Sequence, residues 1–365
     1  MSPKSPDRSD RSPRSRRCLA AALCAAACLS VPPRMATADE ASPTLTKYRQ
    51  KLDGSLNRAL AYLARSQEGN GSFKSGMPRN TAVTSLCVMA FLAKGYTPGT
   101  GPYGATINRG IDFVLAAQQP NGMLVGATAS HGPMYSHTIS TLMLSEVSGM
   151  LDPVRQAKVD KALGKALRLI LAAQEVRKNR IHQGGWRYQH TSADSDISCT
   201  GWALMSLRSA RNNGAAVPKE SIDQAVQFVM NCRCPDGGFG YSGPASPGLA
   251  RTGTALLCLE LCGRHGDRAA LGAGDWILSH LPSRFGGGYF YYGLYYCAQG
   301  MFQLGDKYWE RWAVTMYDMM LQYQQKDGSW PQGVSSEATA GTCFSTAMGV
   351  LAMSVSYRQL PIYQR

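Results

Sequence analysis

The sequence is poor in charged residues and has no long apolar run. Asp, Glu, Lys and Arg make up 17% of its 365 residues, below the roughly 25% of an ordinary soluble domain. No window holds the ~18 to 20 uninterrupted apolar residues of a spanning helix, which excludes a polytopic membrane protein. No basic stretch alternates with aromatic residues, so nucleic acid is not an expected partner. With 44% hydrophobic residues, the chain can instead bury a large core.

The first 38 residues have the composition of an export signal. A basic segment ending at Arg17 precedes the 14-residue apolar run Cys18–Val31, and Ala36-Thr37-Ala38 supplies the small residues of a cleavage site. This order predicts a signal peptide at residues 1–38, a short linker at 39–51, and a periplasmic or extracellular protein. Beyond the signal the basic residues are dispersed, which favours solubility with at most weak attraction to anionic membrane surfaces.

Cleavage would leave eight of the 11 cysteines, and their spacing is not that of a common zinc module. Cys232-Arg-Cys234 and Cys258-x3-Cys262 are the nearest pairs, and the second lies in an apolar stretch where Cys behaves as a small core residue. We therefore predict neither a metal nor a cofactor. Some of these thiols could pair in an oxidising compartment, and the sequence leaves the pairing open.

One pattern recurs along the mature chain: a helix ending in Gln, a Gly-rich turn, an aromatic residue and a second, apolar helix. The last copy is the clearest, Gln324-Gln-Lys-Asp-Gly328-Ser-Trp330. The equivalent positions of the other copies are Gln67 and Phe73, Gln118 and Leu124, Gln174 and Trp186, Arg233 and Phe239, and a degenerate Phe285 to Tyr289. We expect each Gln to hydrogen-bond free amides at the start of the next helix and so to join consecutive units.

This repeat predicts an all-α fold, a single α/α toroid of six helical hairpins, or (α/α)6 barrel, over residues 52–358 with a C-terminal tail at 359–365. One hairpin cannot bury its apolar faces alone, so neighbouring hairpins must stack. Second helices, such as residues 82–93 and 201–207, are apolar nearly all round, as expected of an inner ring. If the ring is closed, residues 52–79 should contact residues 310–340.

The Gln-x-x-x-Gly-x-Trp turns resemble the QW repeats of squalene–hopene and oxidosqualene cyclases. The six-hairpin ring resembles the superfamily of terpenoid cyclases and protein prenyltransferases, and the resemblance covers residues 52–358. It implies that the N-terminal ends of the inner helices surround a central apolar cavity. Full-length triterpene cyclases have two such barrels, whereas this chain has room for one.

The start of the third inner helix departs from the cyclase pattern. Cyclases of this type carry Asp-x-Asp-Asp-Thr-Ala there, and the middle Asp protonates an alkene; this chain has Asp196-Ile-Ser198-Cys199-Thr200-Gly201. Asp196 matches the first Asp, while a register shifted by two residues would use Asp194 and Asp196. These are the catalytic candidates that the resemblance implies, and the alternative for Asp196 is a helix N-cap. Protein prenyltransferases bind zinc through Asp-x-Cys here, and Ser198 replaces that Cys.

The starts of the other inner helices supply candidates for the cavity wall. The fifth helix carries the run Tyr289-Phe-Tyr-Tyr-Gly-Leu-Tyr-Tyr296, and desolvated aromatic faces can stabilise a cation by about 1 to 2 kcal/mol each. An amphipathic core is the alternative for these tyrosines. The predicted cavity or substrate-binding residues are His137, Ser198, Trp202, Arg251, Tyr291, Tyr292, Tyr295 and Thr342.

These features favour an exported, squalene-cyclase-like toroid whose aromatic-lined cavity binds an isoprenoid or other lipid. One alternative is an active terpenoid cyclase or isomerase acting on squalene or a related polyprene. Another is a non-catalytic interaction scaffold, without the Gly-Cys-Gly-Glu-Gln signature of thioester toroids. An (α/α)6 carbohydrate-active enzyme would need paired acids at the cavity mouth, for which Glu337, Asp194 and Asp196 come from different repeats. The oligomeric state stays open.

Overall fold

The computed structural model describes residues 43–77, 79–126 and 132–363, so the predicted signal peptide lies outside the described residues. Over these ranges the chain forms twelve α-helices and three short 3-10 helices, without a β-strand. The prediction of an all-α fold is confirmed. The α-helices are α1 (Pro43–Arg65), α2 (Thr81–Ala93), α3 (Gly104–Ala116), α4 (Pro133–Val147), α5 (Pro153–Gln174), α6 (Ile197–Asn212), α7 (Lys219–Asn231), α8 (Leu249–Leu261), α9 (Arg268–Ser279), α10 (Phe290–Leu304), α11 (Asp306–Tyr323) and α12 (Thr342–Met353).

The even-numbered helices form a closed inner ring. Each of them packs against the inner helix before it and the one after it, and α12 packs against α2. Each odd-numbered helix packs outside, against the preceding inner helix, and α1 in the same way covers α12. In α2 every residue except Ala82 is buried, as the uniformly apolar sequence predicted. The six-hairpin toroid is therefore confirmed, including its closure.

The repeated Gln side chains join consecutive hairpins. The amide nitrogen of Gln324 donates to the carbonyl of Gly328 in its own turn and to that of Ser55 in α1, both at 2.9 Å. Gln67, Gln118 and Gln174 donate in the same way to carbonyls of α3, α5 and α7. The expectation of free amides as partners was wrong. Each turn approaches the flank of the next outer helix, where carbonyls and not helix-start amides are within reach.

Close approach to the next outer helix explains the glycine of five of the six turns, the degenerate fifth being the exception. Gly328 has φ +95°, and a Cβ there would lie 2.3 Å from the carbonyl oxygen of Arg58. Only a residue that tolerates positive φ and lacks a side chain fits this contact. The aromatic positions of the repeat, among them Trp186, Phe239 and Trp330, are then fully buried between the two layers of helices. Their backbone N–H groups donate to threonine hydroxyls of the following inner helix.

The chain ends differ from the sequence-based boundaries. Helix α1 begins at Pro43, so most of the predicted linker is helical. At the other end, residues 361–363 of the predicted C-terminal tail form a 3-10 helix. Ile362 and Tyr363 are buried because they cover the C-terminal ends of the inner helices, where the Tyr363 and Tyr295 hydroxyls are hydrogen-bonded. None of the helices in the described ranges is both long and apolar enough to cross a membrane.

Candidate functional site: a cavity at the N-terminal ends of the inner helices

A cavity of about 280 Å³ lies where the six inner helices begin. All six helices contribute to its wall, as the resemblance to terpenoid cyclases implied. One wall residue from each inner helix, in chain order, is Val83, Ile139, Ser198, Thr254, Tyr292 and Phe344. Aliphatic and aromatic side chains thus dominate the wall, and the hydroxyls of Ser198 and Thr254 add small polar patches.

Two tyrosines of the cavity wall, Tyr188 and Tyr241, each contact an arginine, of which Arg251 also lines the cavity. Tyr188 and Tyr241 come from the connections before α6 and α8, line the cavity and are joined through their hydroxyls. The guanidinium of Arg187 lies 4.8 Å from the ring centre of Tyr188, and that of Arg251 lies 5.7 Å from that of Tyr241. Such cation–π contacts hold the rings in fixed orientations.

Aromatic residues also pack beneath the wall. The rings of Tyr292 and Phe344 are 5.9 Å apart. Trp202 meets Tyr292 edge to face at 6.5 Å and stacks on Tyr295 at 5.5 Å. Trp202 and Tyr295 are fully buried behind the wall. They therefore support Tyr292 and are not themselves cavity residues.

Asp196, the first catalytic candidate, is the N-cap of α6. Its Oδ1 accepts hydrogen bonds from the backbone N–H groups of Ser198 and Cys199, both at 2.9 Å, and its Oδ2 lies 3.7 Å from Nε of Arg187. Burial raises the pKa of this carboxyl, while the two N–H donors and Arg187 oppose the rise. Asp196 is fully buried but does not line the cavity, because Ser198 occupies the wall position.

Asp194, the second candidate, lies further from the cavity. Half of its side chain is exposed, and its Oδ2 is 2.9 Å from Nη1 of Arg187. Arg187 thus bridges the two carboxylates on the outer side of the α6 N-terminus. Neither acid is placed to reach a ligand in the cavity.

Three of the eight predicted cavity residues, Ser198, Arg251 and Tyr292, line the wall. Trp202, Tyr291, Tyr295 and Thr342 do not. Successive helix residues point about 100° apart, so Tyr291 faces away from the cavity when Tyr292 faces it. Tyr295 lies about one turn further along α10, behind the wall, where it stacks on Trp202. The Tyr291 hydroxyl donates instead to the carbonyl of Pro331.

His137, the remaining predicted cavity residue, does not line the cavity and has a structural role. Its Nδ1 accepts from the backbone N–H of Leu124 at 3.1 Å, so Nε2 carries the proton and donates to the carbonyl of Ala166 at 3.2 Å. Burial lowers its pKa to about 4, which keeps the ring neutral. His137 takes the position that threonine has in the repeats of Trp186, Phe239 and Trp330. That threonine is the sequence signal that could have predicted this role.

Glu337 lines the cavity and was considered from the sequence only as one of several scattered acids. It lies in the 3-10 helix Ser335–Ala340 and is 3% exposed. Its Oε1 accepts from the backbone N–H of Tyr292 at 2.9 Å, and its Oε2 from that of Tyr291 at 3.4 Å. Glu337 therefore caps the N-terminus of α10. Burial raises its pKa to about 7 against these hydrogen bonds.

No three His, Cys, Asp or Glu side chains come together as a metal site within the described ranges. The eight cysteines of this part of the chain are free thiols. Cys258 is buried, and burial raises the pKa of its thiol well above the usual value. This environment matches the role of a small core residue.

The closed ring of hairpins and its central cavity define an α/α toroid of the terpenoid cyclase and prenyltransferase superfamily. The family model of the prenyltransferase alpha-alpha toroid domain matches residues 57–289 and 186–361, and the chain belongs to this family. A sequence comparison with curated proteins finds no significant match.

Solved structures with the same fold include enzymes of two kinds. A variant of the type II terpene cyclase MstE from Scytonema, in complex with its substrate geranylgeranyl dihydroxybenzoate, is 14% identical with a TM-score of 0.58, covering 87% of this chain and all of that one. An inactive variant of the alpha-1,6-mannanase GH76A of Salegentibacter sp. HEL1_6, in complex with alpha-1,6-mannotriose, is 10% identical with a TM-score of 0.59, covering 84% and 99%. At such identities the similarity shows the fold alone.

Proposed function

We propose that the protein binds an apolar small molecule, an isoprenoid or another lipid, in the cavity at the N-terminal ends of the inner helices. The observation that carries this proposal is the wall itself, to which all six inner helices contribute mainly aliphatic and aromatic side chains. Transfer of apolar surface from water into such a wall gains about 25 cal/mol per Å². The volume is near the lower end of the ~300–1,000 Å³ usual for small-molecule sites, which favours a short isoprenoid or one ring system.

Two enzyme alternatives have weaker support. A cyclase that used Asp194 or Asp196 would need one of them at the cavity, and neither lines it. A glycoside hydrolase needs two carboxyl groups flanking the scissile bond, whereas Glu337 is the one acid among the described residues of the wall. The match to the family model of the prenyltransferase alpha-alpha toroid domain supports an isoprenoid over a carbohydrate. A scaffold without a ligand is the remaining alternative.

The test is direct binding of two isoprenoids, squalene and farnesol, to the purified full chain, followed by native mass spectrometry and calorimetry. Ala82 lines the cavity in the first turn of α2, and Ala82→Trp would fill part of the volume. The matched control is Ala172→Trp, at an exposed position of α5. We expect binding in the wild type and in the control, with at least tenfold weaker binding in Ala82→Trp. A wild-type protein that binds neither compound would favour the scaffold.

A further inference from the structure

One of the polar groups that line the cavity is a carboxylate, that of Glu337. Glu337 makes no ion pair with a Lys or Arg of the described residues, and its protein partners are the backbone N–H groups at the start of α10. A carboxylate has about four lone-pair positions. The backbone N–H groups of Phe290, Tyr291 and Tyr292 occupy three of them and leave acceptor capacity on a side chain that lines the cavity.

A buried polar group without its full set of partners costs free energy, which a ligand can recover by supplying a hydrogen bond. Glu337 can take such a hydrogen bond because it is 3% exposed, lines the same cavity as Tyr292 and Phe344, and has acceptor capacity beyond its backbone donors. We propose that Glu337 is the hydrogen-bonding anchor of this cavity, and that the ligand is an apolar molecule with a hydroxyl head, a short isoprenoid alcohol. This inference rests on the proposed function and specifies its ligand.

The charges around the cavity select the hydroxyl over an ionic head. A carboxylate or phosphate head beside Glu337 would meet a like charge whenever Glu337 is ionised. An ammonium head would meet the guanidinium of Arg251, which lines the cavity and disfavours a cation. A hydroxyl suits both states of Glu337, since it donates to the carboxylate and accepts from the protonated acid. The other titratable groups that line the cavity are Arg251 of α8 and the tyrosines Tyr135, Tyr188, Tyr241, Tyr289 and Tyr292.

The decisive comparison uses farnesol and farnesyl methyl ether. In the ether, a methyl group replaces the hydroxyl proton, so the donor is lost. We expect the wild-type full chain to bind farnesol roughly tenfold more tightly by calorimetry, the equivalent of one net hydrogen bond to a partly charged group. Glu337→Met removes the anchor at similar volume and should abolish this preference. The matched control is Glu146→Met. Glu146 is likewise buried and accepts a hydrogen bond from the backbone N–H of Ile362, but it does not line the cavity.

A second measurement needs no variant. Farnesylamine stays protonated between pH 6 and pH 8, and burial holds the pKa of Glu337 near 7. If the head lies beside Glu337, farnesylamine should bind several-fold more tightly at pH 8 than at pH 6, while farnesol changes little. Equal binding of farnesol and its ether, or a preference that survives Glu337→Met, would overturn the role of Glu337 as the anchor. The proposal of an apolar binding site in the cavity would still stand. If neither compound binds, the anchor and the proposed function fail together.

Discussion

The side-chain amide of Gln324 donates a 2.9 Å hydrogen bond to the backbone carbonyl of Ser55 and so joins the last hairpin to the first. The residues are 269 positions apart in sequence, yet the bond is the same as the one that Gln67 makes to Thr106 between adjacent hairpins. Ring closure therefore uses the contact that also joins successive repeats.

Removal of this amide should weaken the closed ring. We expect Gln324→Leu to lower the free energy of unfolding by about 1–3 kcal/mol, because three hydrogen bonds are lost: two from the amide nitrogen to partly buried carbonyls and one from Arg58 to the amide oxygen. Denaturant unfolding measures the change. Gln227→Leu, on the exposed face of α7, is the control and should stay within about 0.5 kcal/mol of the wild type. Equal effects in the two variants would show that the contact does not stabilise the ring.

A side chain at Gly328, the glycine of the last repeat turn, should destabilise the protein by more than the positive φ alone would. Gly328 and Gly214 have φ of +95° and +87°, but a Cβ at Gly328 would lie 2.3 Å from a backbone oxygen whereas Gly214 faces open space. We expect Gly214→Ala to cost about 1–2 kcal/mol from the left-handed conformation, and Gly328→Ala to cost clearly more. Thermal unfolding of the two variants provides the comparison. A similar loss of stability in both would mean that the turn can move away from α1.

His137 should make stability depend on acid pH. Burial lowers its pKa from 6.5 to about 4, so below pH 6.5 the unfolded chain binds a proton that the folded chain does not. Stability that is present above pH 6.5 is therefore lost as the pH falls towards 4, by up to about 3 kcal/mol. Glu146 and Glu337 have raised pKa values near 7 and act in the opposite direction. The contribution of both glutamates cancels when the free energy of unfolding of His137→Thr is subtracted from that of the wild type. This difference should shrink steadily from pH 7 to pH 4.

The fold could be predicted from sequence because its determinants are local. The Gln and aromatic positions of each turn are six residues apart or separated by one insertion, and the inner helices are apolar throughout. The site was harder to predict. Glu337 contacts Tyr292 across 45 positions of sequence, and its short Ser- and Ala-rich segment has no helical periodicity that would place it over α10. The aromatic run predicted tyrosines near the cavity, but the rotation of α10 selects Tyr292 over Tyr291, and depth along α10 selects it over Tyr295.

The export signal makes a separate prediction, which concerns residues outside the described ranges. Cleavage after Ala38 would remove the basic and apolar segments and leave α1, which begins at Pro43, intact. We expect the exported protein to begin at Asp39, as determined by N-terminal sequencing of secreted material. Replacement of Ala36 and Ala38 by Arg should block processing and retain the precursor in the cell fraction. Retention of the unaltered chain at full length would contradict the predicted signal peptide.

The position of the two acids of the α6 N-terminus predicts that they do not protonate a substrate. Asp196 caps the helix and Asp194 pairs with Arg187, and Ser198 occupies the wall between them and the cavity. After incubation with squalene or farnesol, gas chromatography–mass spectrometry should therefore find no cyclised product that depends on these acids. The comparison is the Asp194→Asn/Asp196→Asn double variant, which keeps a capping side chain at position 196 because Asn caps a helix about as well as Asp. Cyclised products that the wild type makes and a still-folded double variant does not would contradict this prediction and establish a cyclase that depends on Asp194 or Asp196.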